Sequence, residues 1–99
     1  MYYLKLSGYI PESKQMEFEQ TYRLACTQIP RTCDSYNISK DALDEGVYHF
    51  ISYWHKQAEL RSFSKSASFL ILMGAFETLG ELYENSSGEI MPNKTNSRG

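Results

Sequence analysis

Residues 46–80 read GVYHFISYWHKQAELRSFSKSASFLILMGAFETLG, and the fold turns on how this stretch is parsed. Val47–Trp54 is β-branched or aromatic at six of its eight positions, the composition of a strand. Alternation places Val47, His49, Ile51 and Tyr53 on one face and Tyr48, Phe50, Ser52 and Trp54 on the other. Both faces carry bulky groups, so both are expected to be covered. After Trp54 the period changes. Lys56–Ser64 predicts a short helix with Leu60 and Phe63 at i, i+3, and Ser66 stands where an N-cap belongs. Phe69, Leu72, Met73, Phe76 and Leu79 then form a continuous apolar helical stripe, widened by Leu70, Ile71 and Ala75. A stripe that wide needs contact on two sides, and Gly80 supplies the stop.

Toward the N-terminus, Asp44-Glu45-Gly46 is a turn whose glycine can take positive φ. Cys33–Leu43 is a weaker strand, with Tyr36, Ile38 and Lys40 on one face. Upstream of it, Phe18, Tyr22, Ala25 and Ile29 fall at i, i+4, i+7 and i+11, the face of a helix that opens at Pro11-Glu12-Ser13 with a serine cap. That helix should end near Gln28, because Pro30 disfavours helical geometry at Ile29. Tyr2–Ile10 reads as the first strand, with Tyr3, Lys5, Ser7 and Tyr9 opposite Leu4, Leu6 and Ile10, and with Gly8 marking a bulge or close backbone approach. On the C-terminal side, Glu81–Met91 can hold a last strand in two pieces around a polar break at Asn85–Gly88. Pro92–Gly99 is polar and reads as a loose tail, which leaves a single domain over residues 1–91. The order is β-α-β-β-α(α)-β, the split βαβ or ferredoxin-like pattern: an α+β fold with an antiparallel sheet and helices on one face. One helical layer cannot shelter both faces of such a sheet, so a second copy of the chain is expected on the other.

Composition narrows the function classes. A net charge of −2 with no basic block excludes a nucleic-acid footprint. The longest apolar run, Phe69–Phe76, is too short for a bilayer, and the N-terminus lacks the cationic and apolar regions of a signal peptide, so a cytoplasmic protein with no membrane partner is expected. Aromatics reach 14% with eight tyrosines, side chains with an apolar body and a polar tip that suit pockets and subunit interfaces. Cys26 and Cys33 are too few for a disulfide framework and lie far from both histidines, so two free thiols and no metal site are expected.

Several runs together resemble the antibiotic biosynthesis monooxygenase family. They are Phe50-Ile51-Ser52-Tyr53-Trp54, Gln57-Ala58-Glu59-Leu60, Ser66-Ala67-Ser68-Phe69 and Gly74-Ala75, preceded by a first strand, a proline turn and a helix bearing Phe18. The resemblance covers most of residues 2–83. It implies a dimeric α/β barrel in which two four-stranded sheets pack face to face, and a pocket in each subunit between sheet and helices. It also implies oxygenation of polycyclic phenols or quinols without metal or flavin, with haem breakdown in one branch and many members lacking an assigned activity. Only Trp54 carries over as a site residue. The histidine often found nine residues later is here Phe63. The strand-one asparagine of the haem-degrading branch is missing, and Met73 stands near the place of its histidine ligand.

The expected function is therefore a cofactor-independent monooxygenase acting on an aromatic phenol, quinol or anthrone, working as a homodimer. Two other readings stand beside it: a non-catalytic, small-ligand-binding or stress-associated dimer of the same fold, and a haem-handling protein, which the sequence disfavours. In such an oxygenase the substrate supplies the electrons, and the protein excludes water, holds the ring and places a basic or hydrogen-bonding group near the ionising oxygen. His49 is the best base on paper, against the plainer role of a core or interface histidine. Trp54 serves as pocket wall or as core. Tyr36 and Tyr53 are placed to reach a ligand or an interface. Lys5 steadies an anion or sits at the surface. Phe63, Phe69 and Met73 line an aromatic pocket or pack the helix core.

Overall fold

Each apolar pattern becomes one element of the computed structural model, which describes residues 1–91; the tail expected at residues 92–99 lies outside the described residues. The order is β1 (Tyr2–Tyr9), α1 (Gln15–Cys26), β2 (Cys33–Lys40), β3 (Val47–Trp54), α2 (Gln57–Phe63), α3 (Ala67–Leu79) and β4 (Glu81–Glu89). The four strands form one antiparallel sheet in the order β2-β3-β1-β4. The two strands richest in apolar residues, β1 and β3, take the centre, and the polar β2 and β4 take the edges, where charged and hydroxyl side chains discourage further pairing. All the helices pack on one face, so the α+β, ferredoxin-like expectation holds.

Register decides what points at the helices. Leu4 pairs with Ser52 on one side and Ser87 on the other, and Leu6 with Phe50 and Asn85. This face of β1 and β3 is buried: Leu4, Leu6, Tyr48, Phe50, Ser52 and Trp54 are all covered. Phe18 of α1 is the keystone, its ring 4.8 Å from those of both Tyr48 and Phe76. The Ser68 hydroxyl donates to the Ala25 carbonyl at 2.8 Å and ties α3 to α1. The Tyr48 hydroxyl donates to the Glu19 carboxylate at 2.8 Å, joining β3 to α1. Burial and the neighbouring carboxylate both push that phenol above its ordinary pKa.

Punctuation follows the sequence closely. The Ser66 hydroxyl caps α3, accepting from the Phe69 amide at 3.2 Å. Gly46 sits at φ +84°, a region open to glycine. The β1–β4 register shifts at Ser7/Gly8, the bulge expected there. Gly80 closes α3, and a Cβ on it would run into the Tyr9 carbonyl oxygen.

Four expectations need correction. α1 is entered through a 3₁₀ turn at Glu12–Lys14, with no side-chain cap from Ser13. It ends at Cys26, and a turn carries the chain to Gln28. β2 stops at Lys40 rather than Leu43, because the Asp41 carboxylate accepts from the Leu43 and Asp44 amides at 2.9 and 2.8 Å and folds the chain into a local turn. β4 runs unbroken through Asn85–Gly88, because its backbone from Glu84 to Glu89 pairs with β1 and ladder bonds need no apolar side chains.

Candidate functional site

Helix α2 is seven residues long and α3 lies beyond it; between them and the β1–β4 side of the sheet is a hollow open to solvent. The reason lies in β4. Its helix-facing positions next to Leu4 and Leu6 are Ser87 and Asn85, which are too small and too polar to fill a hydrophobic layer. The hollow measures about 490 Å³, within the roughly 300–1,000 Å³ of small-molecule sites. Leu4, Leu60, Phe69 and Met73 make its apolar floor, with Leu4 and Phe69 almost fully buried. Gln57, Arg61, Ser64, Asn85 and Ser87 make a polar rim. Gln57, Leu60, Arg61 and Ser64 are spaced i, i+3, i+4, i+7 and so form one face of α2, while Phe69 and Met73 come from successive turns of α3. The Asn85 amide donates to the Met73 sulfur at 3.6 Å. A smaller hollow of about 270 Å³ adjoins it at Gln57, Leu60 and Ser87 and is lined also by Tyr2, Gly88 and Glu89.

The residues singled out from the sequence divide among separate places. Phe69 and Met73 meet in the hollow. Trp54 is fully buried behind it, its indole N–H donating to the Ser52 hydroxyl at 2.9 Å. Phe63 is also buried and links the two: its ring lies 5.0 Å from Trp54 and 5.7 Å from Phe69. Trp54 thus backs the wall without lining the space. Tyr36, on the helix side of edge strand β2, lines a different hollow with Tyr22, Arg23 and Cys26. His49, Lys5 and Tyr53 share the sheet face that no helix among the described residues covers. His49 and Trp54 therefore open onto opposite sides of the sheet.

On that face His49 gains two partners that sequence reasoning did not supply. Its Nδ1 lies 2.7 Å from the Ser7 hydroxyl and its Nε2 lies 2.8 Å from Asp41 Oδ1. The His49 bond, followed by the Asp44 and Leu43 amides, holds the Asp41 carboxyl well down, at about 2. The trio contains the groups of a hydrolytic triad, but the ring nitrogens are exchanged relative to that arrangement. Ser7 is 4% exposed within a strand flanked by partners on both edges, so its hydroxyl is closed to a substrate. The geometry is that of a structural anchor. Lys5 lies beside it, 3.5 Å from Glu84, whose carboxyl is held below its usual range chiefly by the Ser86 hydroxyl.

The signals for the missed residues were present but weak. The α2 face is half polar, and two inward positions of β4 are polar, a pattern that marks a cavity wall once the register is known. Among the described residues no group of three or more His, Cys, Asp or Glu side chains is arranged to hold a metal ion, and no helix is long and apolar enough to cross a membrane. Both cysteines are free, and burial pushes the Cys26 thiol up to about 11, far from a reactive thiolate.

No family model matches the sequence, and no curated protein does. Solved structures do match in shape. A candidate antibiotic biosynthesis monooxygenase of Deinococcus radiodurans superposes with a TM-score of 0.77 at 14% identity, over 94% of this chain and 95% of that one. A protein of Caulobacter crescentus with the same description gives 0.76 at 14% identity, over 92% and 90%. A conserved protein of Bacteroides thetaiotaomicron of unknown function, suggested to be an oxidoreductase, gives 0.74 at 16% identity, over 90% and 96%. Identities this low speak for architecture, and at that level the resemblance first carried by Trp54 and its neighbours holds: this chain has the fold of the antibiotic biosynthesis monooxygenases.

Proposed function

We propose that the hollow between α2, α3 and the β1–β4 side of the sheet binds a flat aromatic phenol, quinol or anthrone, and that the chain acts on it as a cofactor-independent monooxygenase. The observation that carries this reading is the division of the hollow into an apolar floor and a rim of amide, hydroxyl and guanidinium groups. The floor takes the ring, and the rim donates to its oxygen. Favouring the ionised oxygen makes the ring electron-rich enough to reduce dioxygen. For an anthrone the balance is simple. Two C–H bonds of the ring methylene break and a C=O forms from one atom of dioxygen. The other atom leaves as water with the two hydrogens, and all four electrons come from the substrate. The rim faces solvent, so the first proton leaves to water.

Oxygen consumption with a model anthrone tests this. Saturable uptake above the buffer rate is expected, and it should vanish in Met73→Trp, which fills the hollow. Uptake equal to buffer refutes the reaction. One observation favours the second reading, a binding protein without turnover: among the described residues no histidine or carboxylate lines the main hollow. Binding of the anthrone under nitrogen with no uptake in air selects that reading.

We also propose a homodimer formed through the sheet face that no helix among the described residues covers. Tyr3, Ile51 and Tyr53 are half-buried there in a single chain and flank the Lys5–Glu84 and His49–Asp41 pairs. Sedimentation equilibrium should give twice the chain mass, and Ile51→Lys should halve it. A native monomer at micromolar concentration refutes the dimer.

A further inference from the structure

The geometry points to a ligand that carries a negative charge beside its aromatic ring, with Arg61 as the residue that selects it. This deepens the reading of the hollow as an aromatic site and rests on that reading. Among the described residues, Arg61 is the single charged residue lining the main hollow. Among the described residues no carboxylate comes within ion-pair distance of its guanidinium. Its nearest acidic neighbour in sequence, Glu59, lines a separate hollow with Phe63 and Pro30. Among the described residues the positive charge at this exposed edge of the hollow therefore has no ion-pair partner, and it stands beside an apolar floor.

The other rim groups agree with an anion. The Gln57 and Asn85 amides and the Ser64 and Ser87 hydroxyls can all donate, and none of them competes with a charge. The adjoining smaller hollow has Glu89 in its lining. A ligand with an acidic group is thus oriented: its charge goes toward Arg61 and away from Glu89, with the ring over Phe69 and Met73. A planar guanidinium matches a carboxylate in fork geometry and a phenolate in single contact, so the class favoured most is an aryl carboxylate, with hydroxyl-bearing aryl acids as the oxidisable members.

The test uses two stable ligands of one shape, 2-naphthoate and 2-naphthamide, titrated calorimetrically at neutral pH. The native chain should bind the carboxylate about tenfold more tightly, the size expected of one partly exposed charge-assisted bond. Arg61→Gln should remove that preference by weakening the carboxylate far more than the amide, and Arg61→Lys should restore part of it. Raising the salt should shrink the preference in the native chain and change nothing in Arg61→Gln. Equal affinities in the native chain, or a preference that survives Arg61→Gln, overturn the assignment while leaving the aromatic site intact. Failure of both ligands to bind removes the aromatic site itself and the inference with it.

Discussion

Removing the Ser52 hydroxyl should cost far more than the loss of one oxygen atom suggests. Ser52 and Trp54 are both fully buried, and the indole N–H donates to the Ser52 oxygen at 2.9 Å. The hydroxyl itself donates weakly to the Leu4 carbonyl at 3.4 Å, a group already placed within the sheet. In Ser52→Ala the indole keeps its burial and loses its acceptor. An unsatisfied buried donor costs roughly 1–3 kcal/mol, so a loss of about 2 kcal/mol is expected. For a domain of this size that is a fall in Tm of roughly 8–16 °C. Trp54→Phe removes the donor and shrinks a buried ring, at a cost of about 1–3 kcal/mol. In that background Ser52→Ala should be nearly neutral, because neither partner is then left stranded. The four chains of the cycle, unfolded in urea at one protein concentration and followed by far-UV circular dichroism, should give a coupling of about 1–2 kcal/mol. If Ser52→Ala is within about 0.5 kcal/mol of native, or costs the same in both backgrounds, the hydrogen bond does not hold Trp54 in the core.

Two further predictions concern the acid limb and the α3–β4 junction. The Asp41 carboxyl is depressed to about 2 in the folded chain, so its contribution is fully present above the ordinary aspartate pKa and is lost as pH falls from about 4 toward about 2. Asp41→Asn should flatten that part of the stability profile; urea midpoints between pH 2 and pH 6 that keep the native slope refute the His49–Asp41 bond. Gly80→Ala drives a methyl into the Tyr9 carbonyl oxygen, and because backbone is on both sides the loss should lie at the upper end of the 1–3 kcal/mol typical of overpacking. A thermal melt that matches native would show that the two segments have room to separate.

Much of the architecture was open to a reader of the chain. The change from alternation in Val47–Trp54 to a helical stripe in Ala67–Leu79 marks where strand becomes helix, and both spans appear in the structure with little shift. Ser66, Gly46 and Gly8 were readable because a cap, a left-handed turn and a bulge each demand a particular residue type at one position. β4 was misjudged at Asn85–Gly88 because a local reading scores side chains, while that strand is held by its backbone on β1.

The candidate site was legible only in part. Phe69 and Met73 were named on their spacing and do reach the hollow, yet Arg61, Gln57, Asn85 and Ser87 were not named as site residues. His49 was placed on the correct face of its strand, but its partners lie 42 residues away at Ser7 and 8 residues away at Asp41. By itself the sequence determined the elements, their order and the two faces of each strand, because periodicity and turn chemistry act between residues close along the chain. The tertiary structure alone decided the register of β1 against β3 and β4, and with it the hollow, the unpaired charge on its rim and the partners of His49. Those depend on which distant residues are brought opposite one another, and a single step of register would exchange every one of them for its neighbour on the other face.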